Sequence, residues 1–307
     1  MVKVMLQSSL IPSLSGTSGI PAIPLNILKQ QALAALESLP PFSPILDKLK
    51  ASLTRQDDFA LLGDLIEKDP VLAGWLLSAV NSVLYVRHGN ISSVRHALSV
   101  LGTEKVRDTV VRMSTVCLVH QTRTPAGWSM ERFTRHSASV AILSDLIAQR
   151  SAVEFPEGAF VAGLLHDIGR LLIAVGLPDE FESILREYQS SGQTWIECER
   201  KILGFAHPEL SSAALAVWKV PEPIRRAVAE HHDPVPLQKP GGPITLGWVL
   251  NAANQYVNSI GESILPAVKP DSAGSAWIES MGLDPEVLEL LLADFQAERV
   301  AIAPYFD

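Results

Sequence analysis

From about Ile27 onward, apolar residues recur every three or four positions, which is the spacing of one face of an α-helix. The sequence contains no pair of alternating apolar segments around a short turn, so a β-hairpin is not expected. The pattern therefore predicts an all-α fold. Because 47% of the 307 residues are hydrophobic, such a fold can bury a substantial core without disulfide support.

Cap and turn residues predict where individual helices begin and end. Asp69 followed by Pro70 predicts a helix start, since aspartate caps a helix N-terminus and proline fits the first turn. Asn81-Ser82 is the predicted end of that helix. The next helix is predicted to begin after Ser92 or Ser93 and to stop at Gly102, because glycine is favoured just after a helix.

Breaks in the helical spacing divide the chain into four predicted parts. These are a flexible leader over residues 1–26, an N-terminal helical lobe over 27–125, a second helical lobe over 126–260 and closing C-terminal helices over 261–307. Serine and proline set the leader apart, and Pro125 with Gly127 interrupts the helical spacing between the lobes. A proline-rich break over 234–243 precedes helices predicted near 244–260 and 285–300.

Charge and cysteine content narrow the classes of partner and location. A formal net charge of −8 argues against direct nucleic-acid binding and against an anionic membrane surface as partner. No uninterrupted apolar run reaches about 18 residues, and no signal peptide is evident. The two cysteines, Cys117 and Cys198, cannot form a disulfide framework, which favours a cytoplasmic location.

Five of the eight histidines belong to the second lobe, and most of them fall on apolar helix faces. They are His136, His166, His207, His231 and His232, with Asp167 beside His166. For example, His136 shares a helix face with Val140 and Leu143, so its imidazole is predicted to point inward. His207 precedes Pro208 and is the predicted N-cap of a helix. His232 is predicted to be turned away from this face by one residue and is the least constrained of the five.

These side chains have two interpretations. Several imidazoles and one carboxylate that converge in a helical core suit iron, manganese, zinc or cobalt, as one ion or as two ions joined by a bridging carboxylate. Alternatively, each histidine is a hydrogen-bonded core residue and no common pocket exists. Arg170 has three interpretations: it contacts a phosphate, it bridges to Asp167 or it belongs to a surface ion pair.

The segment over residues 163–170, GLLHDIGR, resembles the signature of the HD phosphohydrolase superfamily. Motifs in the first lobe resemble the N-terminal half of the HDOD family: Leu39-Pro40-Pro41, the segment Ile66 to Pro70, Asn81-Ser82 and the segment Ile91 to Gly102. The resemblance covers about residues 36–260. It implies a two-lobed, all-helical HDOD architecture of a kind found in bacterial signalling proteins.

The resemblance also implies a set of metal ligands. His136 corresponds to the first ligand, His166 and Asp167 to the central pair, and His207, His231 and His232 to the ligands of a second ion. Hydrolytic relatives end the set with an aspartate, where this chain offers Asn254. An amide oxygen can bind a metal but brings no negative charge and cannot act as a base. The Gly-Tyr-Pro loop of cyclic-dinucleotide hydrolases is also missing after His232.

Three functions are compatible with this combination. The first is a regulatory signalling protein that acts through a protein partner or by sensing a small phosphorylated ligand, with a degenerate pocket that still binds metal. The second is a metal-dependent phosphohydrolase that acts on a nucleotide or cyclic dinucleotide. The third is an iron oxygenase-like HD protein, which requires redox-active iron.

Overall fold

A computed structural model of the chain describes residues 25–55, 59–81, 91–102, 105–106, 110, 124–234, 244–265 and 276–306. Secondary structure within these ranges is helical, apart from one isolated parallel bridge between Val153 and Ile244. The predicted all-α class is therefore confirmed.

The helices are named here in chain order. The first five are α1 Leu25–Ala34, α2 Ser43–Arg55, α3 Phe59–Ile66, α4 Pro70–Val80 and α5 over residues 94–102. The next six are α6 Met130–Arg150, α7 Ala159–Leu165, α8 Ile168–Gly176, α9 Pro178–Ser191, α10 Trp195–Leu203 and α11 His207–Val217. The last four are α12 Glu222–Glu230, α13 Leu246–Ser259, α14 Ala276–Glu279 and α15 Pro285–Ile302.

The predicted limits of α4 are confirmed, and both of its caps do more than end the helix. The Asp69 carboxylate accepts hydrogen bonds from the backbone N–H groups of Val71 and Leu72 at 2.8 and 3.0 Å. It also accepts one from Phe42 N at 2.5 Å, so the segment before α2 is tied to the start of α4. At the other end, the Asn81 amide makes two hydrogen bonds to the backbone of Ile91.

Several predicted features fall outside the described residues. They are most of the leader, Ser82, Cys117, the start of the boundary segment and the prolines after Pro234. The four-part division of the chain therefore stays a prediction. The predicted stop of α5 is matched by Gly102, whose φ is +75°. Helices α13 and α15 lie where the closing helices were predicted.

Helices from the two predicted lobes pack against each other and share a continuous core. Helix α1 lies on α8, where the Gln31 side chain donates to the carbonyl of Gly176 at 3.1 Å. Trp218, at the end of α11, covers Gly74 of α4. In the second part, α6 packs on α7 and α13, and α11 packs on α8 and α12. These four contacts surround the turn between α7 and α8.

The stretch Pro156–Gly176 is long and apolar enough to cross a membrane by length and composition. However, 83% of its most apolar window is buried inside the fold. The polar pair His166-Asp167 also divides it into α7 and α8. This stretch is therefore part of the core of the helical fold.

Candidate metal centre

The turn between α7 and α8 carries His166 and Asp167 at the centre of the second part of the fold. Two glycines allow neighbouring backbone to come close to this turn. A Cβ atom at Gly163 would lie 2.6 Å from Cα of Ala141 in α6, and one at Gly169 would lie 2.3 Å from the carbonyl oxygen of His207. Because glycine has no side chain, α6 and α11 can pack directly against the turn.

The two carboxylate oxygens of Asp167 face two different sets of histidines. Oδ2 lies 3.3 Å from Nε2 of His166 and 3.9 Å from Nε2 of His136. We call these two histidines the His136 side. Oδ1 lies 3.1 Å from Nε2 of His207 and 3.6 Å from Nε2 of His231. These two, with His232, form the His207 side.

Hydrogen bonds on the outer nitrogen of three histidines determine which nitrogen faces the carboxylate. In each of them Nδ1 donates to a backbone carbonyl. His136 donates to Glu262 at 2.7 Å, His166 to Gly163 at 2.8 Å and His231 to Val228 at 2.6 Å. Because a carbonyl only accepts, Nδ1 carries the proton and Nε2 of the neutral ring keeps its lone pair. This outer contact is typical of metal-binding histidines.

Lone pairs therefore face one another on the His136 side, and two ring nitrogens lie close together on the His207 side. Nε2 of His136 lies 3.4 Å from Nε2 of His166, and Nε2 of His207 lies 3.1 Å from Nε2 of His232. Asp167 Oδ1 and His231 Nε2 are buried and have no hydrogen-bond partner. Two ligands that are each about 2 Å from one ion are separated by about 3 to 4 Å, so these donor atoms fit shared cations. The donor set consequently suits a divalent metal on each side.

The ionisation states of Asp167, His136 and His231 match those of metal ligands. Burial lowers the pKa of His136 to about 3 and is the main cause that lowers the pKa of His231 to about 4. Burial raises the pKa of Asp167, but Arg170 with His166 and His207 outweighs it and holds that pKa well below its usual range. At neutral pH the carboxylate is therefore ionised and His136 and His231 are neutral, as metal binding requires.

The site also contains a buried carboxylate that sequence analysis missed. Glu199 of α10 accepts hydrogen bonds from Nε1 of Trp195 at 2.7 Å and from backbone N of His207 at 2.8 Å, and lies 2.7 Å from Nδ1 of His207. Burial and Arg170 lower the pKa of His207, but Glu199 and Asp167 outweigh them and raise it. A carboxylate behind a histidine orients the ring and makes it a stronger ligand. Its sequence signal was an acid on the buried face of an amphipathic helix.

Two other contacts to the histidines come from the C-terminal part of the chain. The carbonyl of Glu262 accepts from His136, and Nδ2 of Asn251 donates to the carbonyl of His231 at 2.7 Å. Neither residue was singled out in the sequence. Each contact has a backbone carbonyl as its acceptor, and no residue type marks such an acceptor. Asn251 Oδ1 is also buried without a partner.

A family model for the HDOD domain matches residues 39–234. The chain belongs to the HDOD family. The match contains both motif regions on which the resemblance was based, and it ends just after His232. Helices α13 and α15 of this HDOD chain, with Asn251 and Glu262, lie beyond it.

Solved structures share the fold of this HDOD chain. The MmoQ response regulator from Methylococcus capsulatus str. Bath is 24% identical with a TM-score of 0.65, over 83% of this chain and 98% of that one. A virulence factor from Campylobacter jejuni is 14% identical with a TM-score of 0.68, over 90% and 98%. An HDOD domain protein of unknown function from Geobacter sulfurreducens is 24% identical with a TM-score of 0.51, over 92% and 96%. A search of curated proteins found no match.

Six of the seven predicted ligands come together in this HDOD chain. The seventh, Asn254, is buried in α13, and its Oδ1 accepts a hydrogen bond from Nδ2 of Asn258 at 2.9 Å. Two local predictions need correction. His207 is the first residue of α11 rather than its N-cap, which is Ala206, because Glu199 already accepts the His207 N–H. His232 is not turned away but faces His207.

A cavity of about 270 Å³ opens onto the site. Its lining includes His136, Asp167, Arg170, Trp195, His232 and Asn258. Arg170 forms a 3.0 Å ion pair with Asp167 through Nε and lies 5.9 Å from the Trp195 ring centre. Of the three alternatives for Arg170, the structure therefore shows the bridge to Asp167. His136 of one side and His232 of the other both line this cavity.

Proposed function

We propose that this chain is a bacterial, cytoplasmic signal-transduction protein whose HD-type centre binds one or two divalent metal ions for regulation rather than for turnover. The observation that carries the metal part is the placement of Asp167, whose two oxygens face separate sets of histidine ring nitrogens. On the His136 side, His136, His166 and Asp167 would hold an ion. On the other side, His207, His231 and His232 would hold one with Asp167.

The regulatory part of the proposal is supported by a deficit of negative charge among the metal ligands. Asn254 stands where hydrolytic relatives have an aspartate, and its oxygen is engaged by Asn258. A bound ion would polarise a phosphoryl oxygen and lower the pKa of bound water. A centre with one carboxylate among its ligands, here Asp167, offsets the charge of two dications less well than a centre with two such ligands. The protein would then act through a separate signalling protein or by sensing a small phosphorylated ligand at the cavity.

The alternative function is a metal-dependent phosphohydrolase that acts on a nucleotide or cyclic dinucleotide. The cavity favours it, because His136, Asp167 and His232 line it together with Arg170. In that case these side chains would hold the ions and Arg170 would keep Asp167 ionised and in place. An iron oxygenase-like activity is a third reading and would require redox-active iron.

One experiment separates these functions. Protein purified without added metal is analysed for iron, manganese, zinc and cobalt, then screened for hydrolysis of phosphodiesters and nucleotides. The Asp167→Ala and Asp167→Asn variants serve as controls. We expect about one or two equivalents of metal in the wild-type protein, a loss of metal in both variants, and no turnover.

Two results would contradict the proposal. Hydrolysis that disappears in both Asp167 variants would establish the phosphohydrolase instead. A wild-type protein that holds no metal and takes up none during titration with each of the four ions would remove the metal centre. Circular dichroism of the two variants checks that they keep the helical fold.

A further inference from the structure

Glu262 connects the C-terminal helix α15 to a histidine of the metal centre. It follows Gly261, whose φ of +88° ends α13, and its backbone N donates to the carbonyl of Val257 at 3.2 Å. Its own carbonyl accepts from Nδ1 of His136 at 2.7 Å. The position of this one peptide group therefore sets which nitrogen of His136 carries the proton.

The Glu262 side chain is held from two other helices. Oε2 accepts a hydrogen bond from Oγ of Ser139 in α6 at 2.6 Å, and Oε1 accepts one from Nη1 of Arg299 in α15 at 2.9 Å. The Glu262 side chain is 15% exposed and that of Arg299 30% exposed, so the ion pair is partly shielded from water. Together with the backbone bond to Val257, these two contacts fix the Glu262 backbone, whose carbonyl accepts from His136.

The connection reaches only one side of the centre. Glu262 bonds to His136, whereas His207 is held by Glu199 and His231 by Val228. Ile264 and Leu265, which follow Glu262, line the cavity over the site. All of this segment lies beyond the residues that the family model matches.

We infer that Glu262 is a positioning residue through which α15 sets the metal affinity of the His136 side. The inference rests on the proposed metal binding. With Arg299 and Ser139 in place, His136 presents its Nε2 lone pair to the site. When α15 moves, the Glu262 carbonyl is no longer fixed. The ring proton of neutral His136 can then shift from Nδ1 to Nε2. A partner that displaces α15 would thereby weaken one ion and leave the other bound.

The test uses the full chain with changes on this connection. Arg299→Met keeps the stem of the side chain but removes the positive charge, Glu262→Gln removes the negative charge, and Arg299→Lys keeps a positive charge. The matched control is Asp294→Asn, which removes the ion pair between Asp294 of α15 and Arg150 of α6 and does not touch Glu262.

Two measurements are made on each variant. In metal-free protein, the imidazole ¹⁵N shifts of His136 report its tautomer, with His136→Gln as the assignment reference. In a titration with Co²⁺, absorption spectra report the affinity of each ion. For Arg299→Met and Glu262→Gln we expect a mixed His136 tautomer and an affinity about 10- to 100-fold lower for the ion on the His136 side only. Arg299→Lys and Asp294→Asn should resemble the wild type.

The inference is overturned if Arg299→Met and Glu262→Gln leave tautomer and affinity unchanged, or if Asp294→Asn has the same effect as they do. A wild-type protein that binds no Co²⁺ would instead count against the proposed function. In that case the tautomer in metal-free protein still decides whether Glu262 positions His136.

Discussion

At the scale of single residues, buried carboxylates organise this protein in two different ways. Asp167 is surrounded by imidazoles and Arg170, which keep it ionised. Asp69 is also fully buried, but its partners are backbone N–H groups of Phe42, Val71 and Leu72. Burial raises the pKa of Asp69 to about 6, and these backbone donors offset only part of that rise. The pKa values of the two acids are therefore shifted in opposite directions.

Asp69 should give the fold a specific pH dependence. Because its pKa is about 6 in the folded chain and about 3.9 in an unfolded one, the folded state holds a proton that the unfolded state has lost between these values. The Asp69 contribution to the free energy of unfolding is therefore fully present below pH 4 and is lost as pH rises to 6. The slope is at most about 1.4 kcal/mol for each pH unit.

Urea unfolding between pH 4 and 7, with a chelator present throughout, measures this dependence against the Asp69→Asn variant. The variant should be less stable overall, since its amide cannot accept from every one of the three N–H groups. It should also lack the Asp69 part of the slope. Equal slopes in the two proteins would show that Asp69 keeps an ordinary pKa.

At the scale of elements, the metal centre depends on how closely helices approach the turn between α7 and α8. The GLLHDIGR segment places a glycine three residues before His166 and another two residues after Asp167. Gly163 meets the backbone of α6, and Gly169 meets the backbone of α11. The motif therefore encodes helix packing as well as chemistry.

Gly163→Ala should destabilise the fold although alanine favours helices. The new Cβ would lie 2.6 Å from Cα and 2.8 Å from N of Ala141, and backbone atoms cannot rotate away. We expect a loss of about 1 to 3 kcal/mol in the free energy of unfolding, together with weaker metal binding as α6 and His136 move. Gly247→Ala in α13 is the control, because its Cβ would be 3.7 Å from the nearest atoms and should be neutral or slightly stabilising. Similar losses in both variants would contradict the packing argument.

At the scale of the whole molecule, the centre joins elements that are far apart in the chain. Its side chains come from α6, the α7–α8 turn, the start of α11 and the end of α12. The unfolded chain does not hold these donors together, so metal binding and folding are linked. The hydrogen bonds of Asn251 to His231 and of Glu262 to His136 extend the link to α13 and the turn after it.

Metal should therefore stabilise the fold. At a free ion concentration 100 times the dissociation constant, we expect the free energy of unfolding to rise by about 2.7 kcal/mol for each site. Thermal unfolding with and without a chelator measures the change, and Asp167→Asn should show little of it. An unchanged unfolding midpoint in wild-type protein known to carry metal would contradict a site that only the folded chain assembles.

The sequence by itself determined the all-α class, the start of α4 at Asp69 and Pro70, and the residue types of a candidate metal centre. Helical spacing, caps and the HDOD motifs are local, so a short window of residues carries each of them. Only the tertiary structure decided that the oxygens of Asp167 face different histidines, that Glu199 stands behind His207 and that Glu262 holds His136. Glu262 and His136 are 126 positions apart, and their contact depends on how α6, α13 and α15 pack, which no local pattern of residues specifies.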